Sequence, residues 1–211
     1  EEILVITFTK YAANEMKERT RRICGPSSYA VTFGTFHGIY YGILKWAYRL
    51  NPSNLLADEE KYRMLREILP KVEWDQELEP DEEKDYLQEL VVEIGNVKNN
   101  CVDIETYEPV KYTTEKFRAL YGEYENAKKK CRKIDFEDML VQCRELFLKR
   151  PDILKKWQDK FRYILVDEFQ DVNQAQYDVV RMLAAPQDNL FVVGDDDQSV
   201  YGFRGAKPGI M

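Results

Sequence analysis

The spacing of hydrophobic positions changes along the chain and divides it into three stretches. At the start, Ile3-Leu4-Val5-Ile6 is an unbroken apolar run that reads, with Thr7, as a buried strand. From Tyr11 to Ile23 the apolar residues Ala12, Ala13, Met16 and Ile23 fall at roughly helical spacing, and Gly25-Pro26 ends the helix. Ala30–Thr35 is rich in β-branched and aromatic residues and predicts a second strand. His37–Leu50 is apolar, aromatic and helical in pattern. Strand, helix, strand, helix is the order of a parallel sheet with covering helices.

The middle stretch, 51–160, has helical patterns and almost no strand pattern. Helices are predicted over Asp58–Leu69, Pro80–Lys98, Thr113–Arg132, Asp135–Lys149 and Pro151–Lys160. Pro80 followed by Asp81, Glu82 and Glu83 suits a helix start, where acids meet the positive end of the dipole. The α/β pattern then returns. Tyr163–Val166 predicts a short strand ending in Asp167-Glu168, and Asn173–Leu183 a helix with Asn173 as its N-cap. Leu190–Val193 predicts a last strand, running into Gly194-Asp195-Asp196-Asp197. One parallel sheet is therefore expected from the two ends of the chain, with a helical insertion between them.

Composition changes this picture little. Hydrophobic residues make up 44% of the 211, as in an ordinary globular protein. No apolar run approaches the ~20 residues of a membrane span. The four cysteines, Cys24, Cys101, Cys131 and Cys143, form no Cys-x-x-Cys pair and are accompanied by a single histidine, His37, so no structural zinc site is expected. Reduced thiols point to a cytoplasmic protein. The chain opens at Glu1, without Met and directly before a core strand, so it is expected to be part of something longer.

Net charge is −7, yet residues 1–50 are net positive and the other two stretches net negative. A nucleic-acid contact would have to be local, built from a few basic and aromatic groups. The basic run Lys128-Lys129-Lys130-Cys131-Arg132-Lys133 has two readings. In one it is a solvated helix end, its cations facing the negative end of the dipole. In the other the insertion uses it to hold duplex phosphates.

The sharpest chemical signal is Tyr163-Ile164-Leu165-Val166-Asp167-Glu168. A buried parallel strand delivers two carboxylates at its C-terminal end, where open α/β sheets bind ligands. Neighbours on a strand point to opposite sides, so one acid can hold a hydrated Mg²⁺ while the other orients or deprotonates a water. One strand later comes the polar run from Gly194 to Ala206. In it Gln198 could bond a phosphate oxygen or a water, Tyr201 and Phe203 could face bases, and Arg204 could pair with phosphate.

These residues carry a resemblance. Ile6 to Met16, Gly34-Thr35-Phe36-His37-Gly38, Asp167 to Asp171 and Gly194 to Ala206 are similar, in order, to motifs Ia, Ib, II and III of the superfamily-one DNA helicases of the UvrD/Rep/PcrA group. The resemblance implies a RecA-like 1A domain in two parts, 1–50 and 161–211, with an α-helical 1B insertion at 51–160. It implies an ATP- and Mg²⁺-dependent motor that moves on single-stranded DNA and opens duplex at single-strand/double-strand junctions.

By the same resemblance Asp167 binds Mg²⁺ and Glu168 activates water. Gln170 and Gln198 lie near the γ-phosphate. Phe8, Tyr201 and Phe203 stack on or bracket bases, and Thr35 and Arg204 contact the strand. His37 is read as a hydrogen-bonded structural histidine.

The sequence departs from the family's pattern in places. Lys10 stands one position from the usual basic residue of motif Ia, Gly38 replaces a serine, and Phe203 stands where tryptophan is frequent. No Gly-x-x-x-x-Gly-Lys-[Ser/Thr] loop occurs in these 211 residues. In the family that loop lies upstream of motif Ia and a second motor domain lies downstream, so this chain alone is expected not to hydrolyse ATP. Two other readings share the motifs: a non-catalytic DNA-binding or interaction module derived from a helicase, and a subunit of a helicase–nuclease.

Overall fold

The structure, a computed structural model, describes residues 2–72, 74 and 80–195. In chain order the regular elements are β1 (Ile3–Thr7), α1 (Lys10–Cys24), β2 (Val31–Thr35), α2 (Phe36–Tyr48), α3 (Asp58–Ile68), α4 (Pro80–Asn99), α5 (Thr114–Cys131), α6 (Phe136–Lys149), α7 (Pro151–Lys160), β3 (Tyr163–Val166), α8 (Gln174–Ala184) and β4 (Leu190–Val192). Side-chain caps explain several of the boundaries. The Thr9 hydroxyl accepts the Ala12 amide at the start of α1, and the Thr35 hydroxyl accepts the Gly38 amide at the start of α2. Asp135 and Asn173 each close a capping box, on α6 and α8. Gly25 takes φ +56° just past α1, a left-handed conformation that suits glycine.

The four strands form one parallel sheet in the order β2-β1-β3-β4. The chain steps from β1 to β2 on one side, and then to β3 on the other. The ends of β1 and β3 therefore flank a point where the strand order reverses, the place where open α/β sheets bind ligands. Leu4, Ile6, Ile164 and Val166 turn into a core shared with α2, α6 and α8 and are at most 1% exposed. The alternate residues Ile3, Val5 and Leu165 are only half-buried. The apolar runs in the sequence predict strands buried on both faces, but only one face is fully covered among the described residues.

The expected insertion, 51–160, contributes to two cores. Leu65, Leu87, Leu90, Ile94, Phe117 and Leu120 of α3, α4 and α5 form a cluster of their own. By contrast Met139, Leu140, Cys143, Leu146, Phe147 and Ile153 of α6 and α7 pack against the sheet. The chain enters and leaves the α3–α5 unit at one point. Leu56 donates its amide to Ile134 O at 2.9 Å, and Ile134 donates its own to Asn54 O at 2.8 Å. No helix among the described residues is long and apolar enough to cross a membrane.

The basic run at the end of α5 fits neither of its two sequence readings as a whole. Lys128 is 1% exposed and ion-paired with Asp135 and Asp138, and Lys133 pairs with Glu60 at 2.9 Å. Arg132 takes the left-handed conformation that ends the helix, while Lys129 and Lys130 face solvent.

Leu4 sits at the centre of the sheet core, fully buried. Leu4→Ala is expected to lower stability by about 2–5 kcal/mol, read as a shift of the urea midpoint. Val110→Ala, at a side chain 85% exposed, is expected to change it by less than about 0.5 kcal/mol.

Candidate functional site

The strand ends gather the predicted acids. β3 stops at Val166, and Asp167 donates its amide to Ile6 O at 2.9 Å, which ties the acid to the end of β1. Asp167 is half-buried, and burial, then the neighbouring Glu168 charge, raise its carboxyl above the usual range. Glu168 is exposed and has φ +53°, a left-handed conformation that is strained for a side chain with a Cβ. The two acids are therefore set apart by a backbone turn and not by the strand alternation that the sequence pattern predicts. Neither forms an ion pair among the described residues.

Gln170 is the hub of this turn. It is 2% exposed, and its Nε2 donates to Glu168 Oε2 at 2.7 Å. Its Oε1 accepts the Asp195 amide at 3.0 Å. One buried side chain thus touches both Glu168 and the segment that follows β4. The backbone approaches equally closely. Phe169 donates to Val193 O at 2.8 Å, and a Cβ at Gly194 would lie 2.6 Å from Gln170 Oε1 and 3.0 Å from its amide nitrogen. Only glycine fits there without displacing Gln170.

Beside the acids, a cleft of about 520 Å³ opens between the sheet edge and the helices α3, α4 and α6. Phe8, His37, Tyr62, Asn96, Asn99 and Phe136 are among the residues that line it. Phe8 packs edge-on against Phe36 at 5.2 Å, so it is anchored in the core while lining the cleft. Phe136, 50% exposed, meets the His37 ring edge-to-face at 5.4 Å. Asp171, the residue after Gln170, lines the same cleft and is 7% exposed. Charge in the cleft is mixed. Lys61, 5% exposed, lies 3.4 Å from Glu137 and 4.0 Å from Asp58. With one ammonium, Lys61, against three carboxylates, Asp58, Glu137 and Asp171, the aromatic lining suits the flat face of a base better than a phosphate.

The structure thus brings Asp167, Glu168 and Gln170 together, with Phe8 on the neighbouring strand end. Thr35 is half-buried and its hydroxyl caps α2. Gln198, Tyr201, Phe203 and Arg204 lie outside the described residues. Phe136, Tyr62, Asn96 and Asn99 were not singled out by the sequence pattern.

The comparisons identify the family. The family model described as the UvrD/REP helicase N-terminal domain matches residues 1–211. The chain is 40% identical to the putative ATP-dependent DNA helicase YjcD of Bacillus subtilis (strain 168), over 100% of this chain and 28% of that protein. It is 34% identical to the ATP-dependent DNA helicase Rep of Escherichia coli (strain K12), over 98% of this chain and 31% of that one. It is 32% identical to the ATP-dependent DNA helicase PcrA of Staphylococcus aureus (strain NCTC 8325 / PS 47), over 97% and 28%. The chain thus spans less than a third of the length of each of these relatives. With a parallel sheet, a helical insertion and an acid pair at the strand ends, the chain belongs to the UvrD/REP helicase N-terminal domain family.

Proposed function

We propose that this chain is the part of an ATP-dependent DNA helicase in which the acids of the nucleotide site and a platform for single-stranded DNA share one sheet edge. The observation that carries this reading is Gln170. Its side chain is buried and bonds Glu168 on one side and the Asp195 amide on the other, so a change at the acids reaches the segment after β4.

The donor set suits a hard cation. Asp167 offers a half-exposed carboxylate whose charge is disfavoured by burial and by Glu168, and Mg²⁺ prefers oxygen ligands and keeps several waters. Bound there, Mg²⁺ would neutralise phosphate charge. Glu168, off the strand and held by Gln170, would orient the attacking water and accept its proton. The 1A assignment follows the sheet. The 1B assignment is best supported for the α3–α5 unit, which has its own core and which the chain enters and leaves side by side at Leu56 and Ile134.

Phe8 and Phe136 would receive bases of a single strand, with His37 fixing the Phe136 ring. Gln198, Tyr201, Phe203 and Arg204 would extend this path, as the resemblance implies. The whole protein would move along single-stranded DNA towards a junction with duplex. Within these 211 residues no phosphate-binding Gly-Lys-Ser/Thr loop is present, so the chain by itself is expected to turn over no ATP.

Phe8→Ala and Phe136→Ala are each expected to weaken binding of a fluorescent oligothymidylate by about 1–3 kcal/mol, roughly 5-fold to 150-fold. Unchanged anisotropy titrations for both variants would remove the base-platform reading.

A second expectation concerns pH. Because the Asp167 carboxyl is raised in the fold, its ionised form is the disfavoured one. The group therefore lowers stability at neutral pH, and the loss disappears as pH falls below its titration. Without divalent ions, Asp167→Asn should melt at or above the wild-type temperature at pH 7, and the difference should shrink on acidification. Mg²⁺ should raise the melting temperature of the wild type only. A variant that melts lower at pH 7 without Mg²⁺ would contradict the site's assignment.

A further inference from the structure

A buried ionic cluster lies directly behind the cleft and lines none of it. Lys98, at the end of α4, is 4% exposed, and Lys128, at the end of α5, is 1% exposed. Lys98 Nζ is 2.9 Å from Asp135 Oδ2, 2.7 Å from Asp138 Oδ1 and 2.8 Å from Glu125 Oε1. Lys128 Nζ is 2.8 Å from Asp135 Oδ2, 2.5 Å from Asp138 Oδ2 and 2.8 Å from Glu125 Oε1. Tyr124 donates its hydroxyl to Asp135 Oδ2 at 3.0 Å, and both ammonium groups lie over its ring. Carboxylate oxygens of Glu125, Asp135 and Asp138 lie within 4.8 Å of one another, as in a metal site. Here the cations are the two lysines.

The cluster touches both walls of the cleft through its neighbours in sequence. Asp135 caps α6 by accepting the Asp138 amide at 2.8 Å, and Asp138 Oδ2 accepts the Asp135 amide at 2.9 Å. The next residue is Phe136. On the other wall, Lys98 lies between the lining residues Asn96 and Asn99. Two carboxylates one turn apart in a buried cap repel each other unless cations sit between them. Burial opposes the charge on Asp135, yet Lys98 and Lys128 overcome it and hold its carboxyl below the usual range.

We propose that Lys128, with Lys98, is a positioning residue for single-strand binding: the two ammonium groups clamp the capped start of α6 against α4 and so hold Phe136 on His37 at the width the cleft needs. This rests on the reading of the cleft as a DNA site. It replaces both surface readings of the basic run for Lys128, whose charge acts inside the protein.

His37 is the only histidine, so its imidazole Hε1 gives one NMR signal, displaced by the ring current of Phe136. Phe136→Leu calibrates that displacement. In Lys128→Met the signal is expected to move at least half-way to its Phe136→Leu position, while the Leu4 and Ile6 methyl signals of the sheet core stay in place. Oligothymidylate binding is expected to weaken about tenfold. Adding Asp138→Asn to Lys128→Met removes the uncompensated carboxylate and should return both readouts towards wild type, which the filling of a void would not do. A wild-type His37 signal and wild-type affinity in folded Lys128→Met would overturn the inference. If Lys128→Met does not fold, the double variant decides: a His37 signal at the Phe136→Leu position there overturns it too. If the wild-type signal ignores oligothymidylate, the DNA reading of the cleft fails, and with it the binding role; the effect of Lys128→Met on His37 still reports whether the clamp exists.

Discussion

The parallel pairing of β1 with β3 is the constraint on which the rest depends. Ile3 to Ile6 lie in register with Tyr163 to Val166, two segments from opposite ends of the chain. Everything between them must leave and return without disturbing four residues of ladder. The chain meets this by burying Leu4, Ile6, Ile164 and Val166 on one face and by closing the α3–α5 unit at Leu56 and Ile134 before α6 and α7 rejoin the sheet core. Burial of apolar area is the main driving force, at about 25 cal/mol per Å², and it is spent here on holding two strand ends side by side. Once they are, Phe8 and Asp167 are neighbours by construction.

That adjacency gives the site its character. Glu168 adopts a left-handed backbone and Asp167 a raised carboxyl, features that cost stability and recur where chemistry is done. Gln170 holds the turn from inside, and Gly194 leaves room for it. The acids are thus joined to the next strand by one buried amide rather than by a loop. On the other side Phe8 connects the same edge to the cleft. The α4 and α6 walls of that cleft are joined by buried lysines rather than by apolar packing, an arrangement that fixes geometry more sharply than it adds stability.

Much of this was legible in the sequence, for physical reasons. Alternation between short apolar runs and helical spacing revealed the sheet and most helix ends within a residue or two. Gly25 and Asn173 stand where turn and cap chemistry demands them. Asp167-Glu168 after four apolar residues marked the strand end. What was not legible comes from contacts distant in sequence. Phe136 reaches His37 only after the chain has folded round the insertion, and nothing local marks it as a cleft residue. Lys128 looked like one cation of a solvated run, because its carboxylate partners Asp135 and Asp138 are recognisable only once the turn after α5 brings them back. The division of 51–160 between two cores was hidden for the same reason: α6 and α7 are as amphipathic as α3, and periodicity does not say which core an apolar face joins.

The central claim is that one sheet edge serves both the acids and the DNA. It is tested most directly by photo-crosslinking the chain to an oligothymidylate that carries 5-iodouracil, followed by peptide mass spectrometry. Crosslinks are expected on the peptides holding Phe8, His37 and Phe136, and Mg²⁺ is expected to leave that pattern in place. Crosslinks concentrated instead on the exposed Lys129-Lys130 end of α5, with none at the cleft, would contradict the account.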